Sequence, residues 1–192
     1  MAAKESTMLG LGTAAPDFEL PDVVSDRTVR LDGFKRKGLL VMFLCRHCPY
    51  VVHIAPGLAA LAKDYAGTDL DIVAISSNDA SEYSADGPEG LRQMARELGF
   101  WFPYCHDETQ QVAKAYQAAC TPDFFLFDAG RKLVYRGQFD DSRPSNGVPV
   151  TGRDLRAAID ATLSGHAIAE RQKPSIGCNI KWKPGNAPAY HG

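Results

Sequence analysis

The chain has 192 residues, with 21 Lys and Arg against 23 Asp and Glu, a formal net charge of −2 and 45% hydrophobic residues. This length suits one domain with short extensions, which buries enough surface to fold without disulfide or metal staples. The balanced charge argues against a nucleic-acid-binding surface, and the composition argues against disorder. The sequence has no apolar run of transmembrane or signal-peptide length, so we expect a cytoplasmic protein.

Alternating and continuous apolar patterns predict the strands. Residues 1–12 are expected to form a leader. Alternation of apolar and polar residues predicts a hairpin made by 15–21 and 27–31. Continuous apolar runs predict strands buried on both faces at 39–44 and 70–76. Further strands are predicted from the same kind of pattern at 102–105, 122–127 and 132–139.

Apolar residues at three- and four-residue spacing predict the helices, which lie at 49–66, 88–98, 107–119 and 152–163. Pro56 predicts a kink in the first of them, and Asp107 is a suitable N-cap for the third. Helices that alternate with buried strands indicate an α/β domain at 13–165 with a mixed sheet covered on both faces. The tail at 166–192 is expected to pack on the domain or on a partner subunit.

The five cysteines, at positions 45, 48, 105, 120 and 178, are odd in number and too few for a small disulfide scaffold. Cys45 and Cys48 are the one closely spaced pair. In a reducing cytoplasm such a pair is more often catalytic or metal-binding than structural. For Cys105 and Cys178 we favour a role in local packing, although Cys178 could also be a further redox thiol.

The sequence Cys45-Arg46-His47-Cys48-Pro49 lies between a predicted buried strand and a predicted helix. The free N–H groups and positive dipole of a helix N-terminus stabilise a thiolate. We expect Cys45 to be the more exposed, acidic sulfur that attacks a disulfide, and Cys48 to resolve the mixed disulfide. His47 would tune the Cys45 thiolate, while Arg46 and Pro49 would lie at the substrate.

A metal site is the alternative interpretation of this pair. Structural zinc needs four ligands, and a second C-x-x-C or an H-x₃-H is missing from the sequence. The remaining candidates are scattered along the chain, at His53, Cys105, His106 and Cys120. We therefore predict no metal and no organic cofactor, and keep a partner- or metal-binding module as a second alternative.

The tripeptide Cys120-Thr121-Pro122 precedes a predicted buried strand. At the corresponding place, thioredoxin-type folds hold a cis proline that faces the disulfide. A cis Pro122 would leave the Thr121 backbone available to pair with a substrate's extended chain. Cys120 is a candidate extra redox thiol, with a small buried residue as the favoured alternative.

These motifs resemble the thioredoxin-fold redoxins of the alkyl hydroperoxide reductase/thiol-specific antioxidant superfamily, and among them the peroxiredoxin-like group with a C-x-x-C. The resemblance rests on the segments 15–18, 45–51, 77–79, 120–126, 137–144 and 174–182. It implies a three-layer α/β/α fold of thioredoxin type, with a central mixed sheet, an N-terminal hairpin and a C-terminal tail. It also implies a redox-active disulfide.

The chain departs from true peroxiredoxins at the residues that position peroxide. Those enzymes use P-x-x-x-T-x-x-C and an arginine. Here Cys48 falls on the peroxidatic position, Cys45 on the threonine, Val41 on the proline and Pro122 on the arginine. We therefore predict a thiol–disulfide oxidoreductase that acts on a protein or small thiol partner and draws on an upstream thiol reductant. Peroxidase activity is the alternative, and a homodimer is possible.

Overall fold

The computed structural model describes residues 3–191, and ten strands make up its sheets. The strands are, in chain order, β1 Ala3–Glu5, β2 Glu19–Pro21, β3 Thr28–Arg30, β4 Gly38–Phe43, β5 Leu70–Ser76, β6 Tyr104–His106, β7 Cys120–Thr121, β8 Asp123–Phe127, β9 Leu133–Gly137 and β10 Ile176–Asn179. The helices are α1 Pro49–Asp64, α2 Pro88–Glu97, α3 Gln111–Ala115 and α4 Arg153–Ser164. None of the helices described is long and apolar enough to cross a membrane.

The central sheet has five strands in the order β6-β5-β4-β8-β9. β4, β5 and β6 are parallel, whereas β8 runs antiparallel to both β4 and β9. Every residue of β4 is buried, as its continuous apolar run predicts for a strand covered on both faces. Apolar residues of α1, α2 and α4 pack on one face, and α3 packs on the other. The predicted three-layer arrangement is confirmed.

The third predicted helix is shorter than its apolar spacing suggests. It covers Gln111–Ala115 rather than 107–119, because left-handed residues stand on both sides of it, Gln110 with φ 63° and Gln117 with φ 51°. Asp107, the expected N-cap, does not cap this helix, because the N-cap position is occupied by Gln110. Its buried carboxylate accepts hydrogen bonds from Ser77 Oγ at 2.9 Å and from the Ala113 N–H at 3.0 Å. Asp107 therefore ties the end of β5 to α3.

The two chain ends meet in a second sheet that the sequence did not predict. Its order is β1-β10-β7, and both of its strand pairs are antiparallel. The expected leader at 1–12 thus contains a strand, Ala3–Glu5, paired with the tail. Ile180 lies in the core on the α3 side of the central sheet, and Trp182 packs against it. The tail accordingly packs on the domain itself.

Candidate active site

The predicted thiol pair lies in the loop that joins β4 to α1. Cys45 follows the buried end of β4, and Cys48 is the N-cap residue of α1, with Pro49 at the first helical position. A proline is well placed there because the first N–H of a helix has no partner within the helix. Both cysteines are unpaired thiols with 0% exposure. The expectation that Cys45 is the more exposed of the two is therefore not met.

Thr121 contacts both sulfurs of the pair. Its Oγ1 lies 3.1 Å from Cys45 Sγ, and its carbonyl oxygen lies 3.1 Å from Cys48 Sγ. The Thr121–Pro122 peptide bond is cis, as predicted from the sequence. The Thr121 side chain and main chain together place β7 against the dithiol.

Asp86 organises the loop that carries the pair, although no motif in the sequence marks it for this role. Its Oδ1 accepts hydrogen bonds from the backbone N–H groups of Arg46 at 2.7 Å and His47 at 3.3 Å. Its Oδ2 accepts a hydrogen bond from Asn78 Nδ2 at 2.8 Å and contacts His47 Nδ1. Asp86 is fully buried. A buried carboxylate needs such partners, and here they fix the backbone between the two cysteines.

His47 and Arg46 point to neighbours other than the thiols. The His47 ring contacts Asp86 through Nδ1 and stacks on Tyr83, with ring centroids 4.8 Å apart. Its Nε2 is buried without a hydrogen-bond partner among the described residues. The Arg46 guanidinium donates to the Gly90 carbonyl at 2.8 Å and approaches Glu97 at 3.3 Å. Arg46 thus fastens the loop to α2, and His47 acts on the site through Asp86.

The surroundings of the two thiols favour a thiolate on Cys48. Hydrogen bonding from the Cys45 thiol lowers the pKa of Cys48 to about 5. Burial opposes this shift, whereas the Cys178 thiol and the N–H groups of Val51 and Cys178 add to it. Hydrogen bonding with Cys48, burial and the charge of Asp86 raise the pKa of Cys45 well above its usual value. The Thr121 carbonyl accepts a hydrogen bond from the Cys48 thiol and so favours its protonated form. The interactions that lower the pKa of Cys48 outweigh this contact. The order of acidity is the reverse of that expected from the sequence.

We expect the alkylation rate of Cys48 by iodoacetamide to reach half its maximum near pH 5, because its lowered pKa keeps the thiolate present down to that pH. An ordinary cysteine titrates near pH ~8.5. The measurement is the pH dependence of labelling in the reduced protein, quantified for each cysteine by peptide mass spectrometry. A Cys48 midpoint at pH 8 or above would contradict the assignment of the thiolate.

The other three cysteines occupy different environments. Cys120 Sγ donates to the Pro122 carbonyl at 3.5 Å, and burial raises the pKa of this thiol. Cys105 packs in the core on the α3 side of the sheet, where burial raises the pKa of its thiol to about 12. Cys178 lies on β10 as the register partner of Thr121, and burial raises the pKa of its thiol to about 12. Of the two candidate extra redox thiols, Cys178 is therefore the one that lies opposite Thr121, the residue in contact with both sulfurs of the pair.

Three potential metal ligands also meet at this loop. Donor atoms of Cys45, His47 and Asp86 all lie within 4.8 Å of one another. A structural zinc site takes four ligands, and the Asp86 carboxylate is already engaged by backbone and side-chain donors. The group can be explained as the hydrogen-bonded support of the thiol loop, and our prediction of no metal stays a prediction.

Comparison with known proteins places the chain in a family. Residues 11–136 match the model of the AhpC/TSA family. The crystal structure of an uncharacterized conserved protein from Geobacillus kaustophilus is 55% identical, with a TM-score of 0.93 over 96% of this chain and 98% of that one. The thioredoxin domain of a thiol-disulfide oxidoreductase from Bacteroides vulgatus, at 20% identity, shares the fold with a TM-score of 0.59, over 78% and 99% of the two chains.

A curated relative carries a name that matches the predicted chemistry. The thiol-disulfide oxidoreductase ResA of Geobacillus thermodenitrificans is 27% identical over 129 residues, which are 67% of this chain and 70% of the relative. The expected thioredoxin-like fold and redoxin family are confirmed. The chain belongs to the AhpC/TSA family.

Proposed function

We propose that the protein is a thiol–disulfide oxidoreductase whose working pair is Cys45 and Cys48. The observation that carries this proposal is the meeting of the two thiols at Thr121, with the charged form favoured on one and the protonated form on the other. Such a pair can perform both steps of disulfide exchange. The name of the ResA relative supports the same chemistry.

The thiolate assignment determines the order of the steps. Cys48 attacks one sulfur of a substrate disulfide, forms a mixed disulfide and releases the other substrate sulfur, which takes up the proton of Cys45. Cys45 then attacks the Cys48 sulfur, and the second substrate thiolate leaves. Two electrons have passed from the dithiol to the substrate, and Cys45 and Cys48 are joined. An upstream thiol reductant in the cytoplasm would restore the dithiol.

Stabilisation of the Cys48 thiolate also bears on the redox balance. A thiolate held by several donors stabilises the reduced state, and a disulfide formed from such a thiol accepts electrons more readily. The contact between Cys45 and Thr121 Oγ1 orients the second thiol. We therefore expect a more oxidising couple than that of unassisted thiols.

A mixed-disulfide trap tests the proposed roles. In a Cys45→Ser/Cys178→Ser variant treated with glutathione disulfide, glutathione should remain bound to Cys48, because both neighbouring thiols that could displace it are gone. Intact and peptide mass spectrometry would locate the adduct. A Cys48→Ser variant should carry far less glutathione on Cys45, since burial and the charge of Asp86 still raise the pKa of that thiol. A reversed distribution of the adduct would overturn the proposed order.

Peroxide reduction is the second candidate, because the thiol with the lowered pKa occupies the position that matches the peroxidatic cysteine. The structure offers little else for peroxide chemistry. The Arg46 guanidinium donates to a carbonyl of α2, and Arg143, which lines a cleft together with Pro122, donates to Gln138 Oε1 at 2.6 Å. We therefore expect a slower reaction of Cys48 with hydrogen peroxide than with a disulfide, measured as sulfenic acid and mixed disulfide in parallel samples.

A further inference from the structure

The backbone edge expected to receive a substrate is occupied by the protein's own tail. β10 pairs antiparallel with β7, and Cys178 is the register partner of Thr121. An added strand beside an exposed edge is a common mode of peptide binding. β10 thus lies against the cis proline as an extended substrate would, with a cysteine opposite Thr121.

A glycine allows this close approach. A Cβ on Gly177 would lie 2.0 Å from the Thr121 carbonyl oxygen, which no side chain tolerates. The strand is also bonded on both sides of Gly177. Ser175 Oγ donates to the Pro122 carbonyl at 2.6 Å, and the Ile180 N–H donates to the Ala119 carbonyl at 3.2 Å. These contacts hold the segment against β7.

The same arrangement brings a third thiol to the pair. Cys178 is 3% exposed and shares a core cluster with Cys45 and Cys48. It is the register partner of Thr121, whose carbonyl oxygen lies 3.1 Å from Cys48 Sγ, and its presence helps to lower the pKa of Cys48. Cys48 therefore has two neighbouring thiols, one from its own loop and one from the tail. Cys120, although adjacent to Thr121 in sequence, directs its thiol to the Pro122 carbonyl.

We propose that Cys178 is a third redox thiol that exchanges with the Cys45–Cys48 disulfide through Cys48. This inference rests on the proposed function of the pair. The Cys178 thiolate attacks the Cys48 sulfur, the Cys48–Cys178 bond forms, and the Cys45–Cys48 bond breaks. Cys45 leaves as a thiolate and takes the proton that Cys178 has lost. The step moves the disulfide without net oxidation or reduction.

Such an exchange has a consequence for the reaction. It places the oxidised sulfur on the tail strand and returns Cys45 to the thiol form, so that Cys48 can be resolved from either side. Burial raises the pKa of the Cys178 thiol, so its proton must be removed during the step. The departing Cys45 thiolate is a suitable acceptor, because burial and the charge of Asp86 raise the pKa of Cys45 whether or not Cys48 is a free thiol.

The test uses Cys45→Ser, in which Cys178 is the remaining neighbour able to resolve Cys48. After treatment with one equivalent of glutathione disulfide, we expect loss of two free thiols, release of glutathione and a Cys48–Cys178 cross-linked peptide in the mass spectrum. The matched control Cys45→Ser/Cys120→Ser should give the same cross-link. Cys45→Ser/Cys178→Ser and Cys45→Ser/Cys178→Ala should instead retain glutathione, and circular dichroism would verify the fold of each.

The outcomes separate the two proposals. If Cys45→Ser keeps glutathione on Cys48 while Cys178 stays a free thiol, the third-thiol role is wrong and the working pair stands. If Cys48 takes up no glutathione in folded variants with or without Cys178, the proposed function itself fails. A cross-link between Cys48 and Cys120 would assign the third thiol to the other candidate and overturn our choice of Cys178.

Discussion

A Cys48→Ser variant is expected to exchange disulfides at least about 10³-fold more slowly than the wild type, because a serine hydroxyl remains protonated where the cysteine is a thiolate. Cys45 cannot replace it efficiently, since burial and the charge of Asp86, which both remain in the variant, raise the pKa of Cys45. The measurement is the rate of glutathione disulfide reduction by the prereduced protein in single-turnover experiments.

A matched control separates this effect from a general loss of structure. Cys105 is also a buried thiol, but it packs in the core on the α3 side, whereas Cys48 packs on the opposite face of the central sheet. Cys105→Ser should therefore keep the wild-type exchange rate within about twofold, apart from any loss of stability. Equal rates in wild type and folded Cys48→Ser would exclude Cys48 as the nucleophile.

Local patterns were sufficient to predict the central sheet and three of its helices. The buried strand β4 follows from one uninterrupted apolar run, and α1 follows from apolar spacing after a strand. The second sheet could not be predicted in this way. β1 and β10 are three and four residues long, and they pair across nearly the whole chain. Short strands without clear periodicity leave no local signal, because their pairing is decided by tertiary contacts.

The same limit separates the parts of the site that were predicted from those that were missed. Cys45, Cys48 and Pro122 are recognisable from adjacent residues. Asp86 and Cys178 reach the pair from distant segments, so no local pattern marks Asp86 and Cys178 is only a possible further redox thiol. Asp86 is 40 residues beyond Arg46, from whose N–H it accepts a hydrogen bond. The available signal was Asn78, which lies in the segment 77–79 that resembles the family. Its side-chain amide donates to Asp86 and accepts a hydrogen bond from the N–H of Lys181 in the tail.

These missed contacts explain why the predicted order of acidity was reversed. A helix N-terminus favours the thiolate of whichever cysteine caps it, and the structure gives that position to Cys48. His47 was expected to tune the Cys45 thiolate, but its ring is paired with Asp86, whose negative charge opposes a Cys45 thiolate. The sequence spacing was correct, and the identity of the charged sulfur depended on tertiary neighbours.

Asp86→Ala is expected to lower the free energy of unfolding of the reduced protein by about 3–5 kcal/mol, because it leaves several buried donors unpaired. The Arg46 and His47 N–H groups and the Asn78 amide would all lose their acceptor. We also expect a lower pKa of Cys45, since the carboxylate charge that opposes its ionisation is removed. Urea unfolding and pH-dependent alkylation would measure the two effects.

Asp79 provides the control in the same loop, because its carboxylate bonds the side chain and the N–H of Ser81, on its own turn. Asp79→Ala should cost roughly 1 kcal/mol, as for the loss of a local cap, and should leave the alkylation profile of Cys45 unchanged. If Asp86→Ala and Asp79→Ala have the same effect on both measurements, Asp86 is an ordinary loop residue. A larger loss in the free energy of unfolding for Asp86→Ala than for Asp79→Ala, together with a shifted alkylation profile of Cys45, would identify Asp86 as the residue that positions the thiol loop.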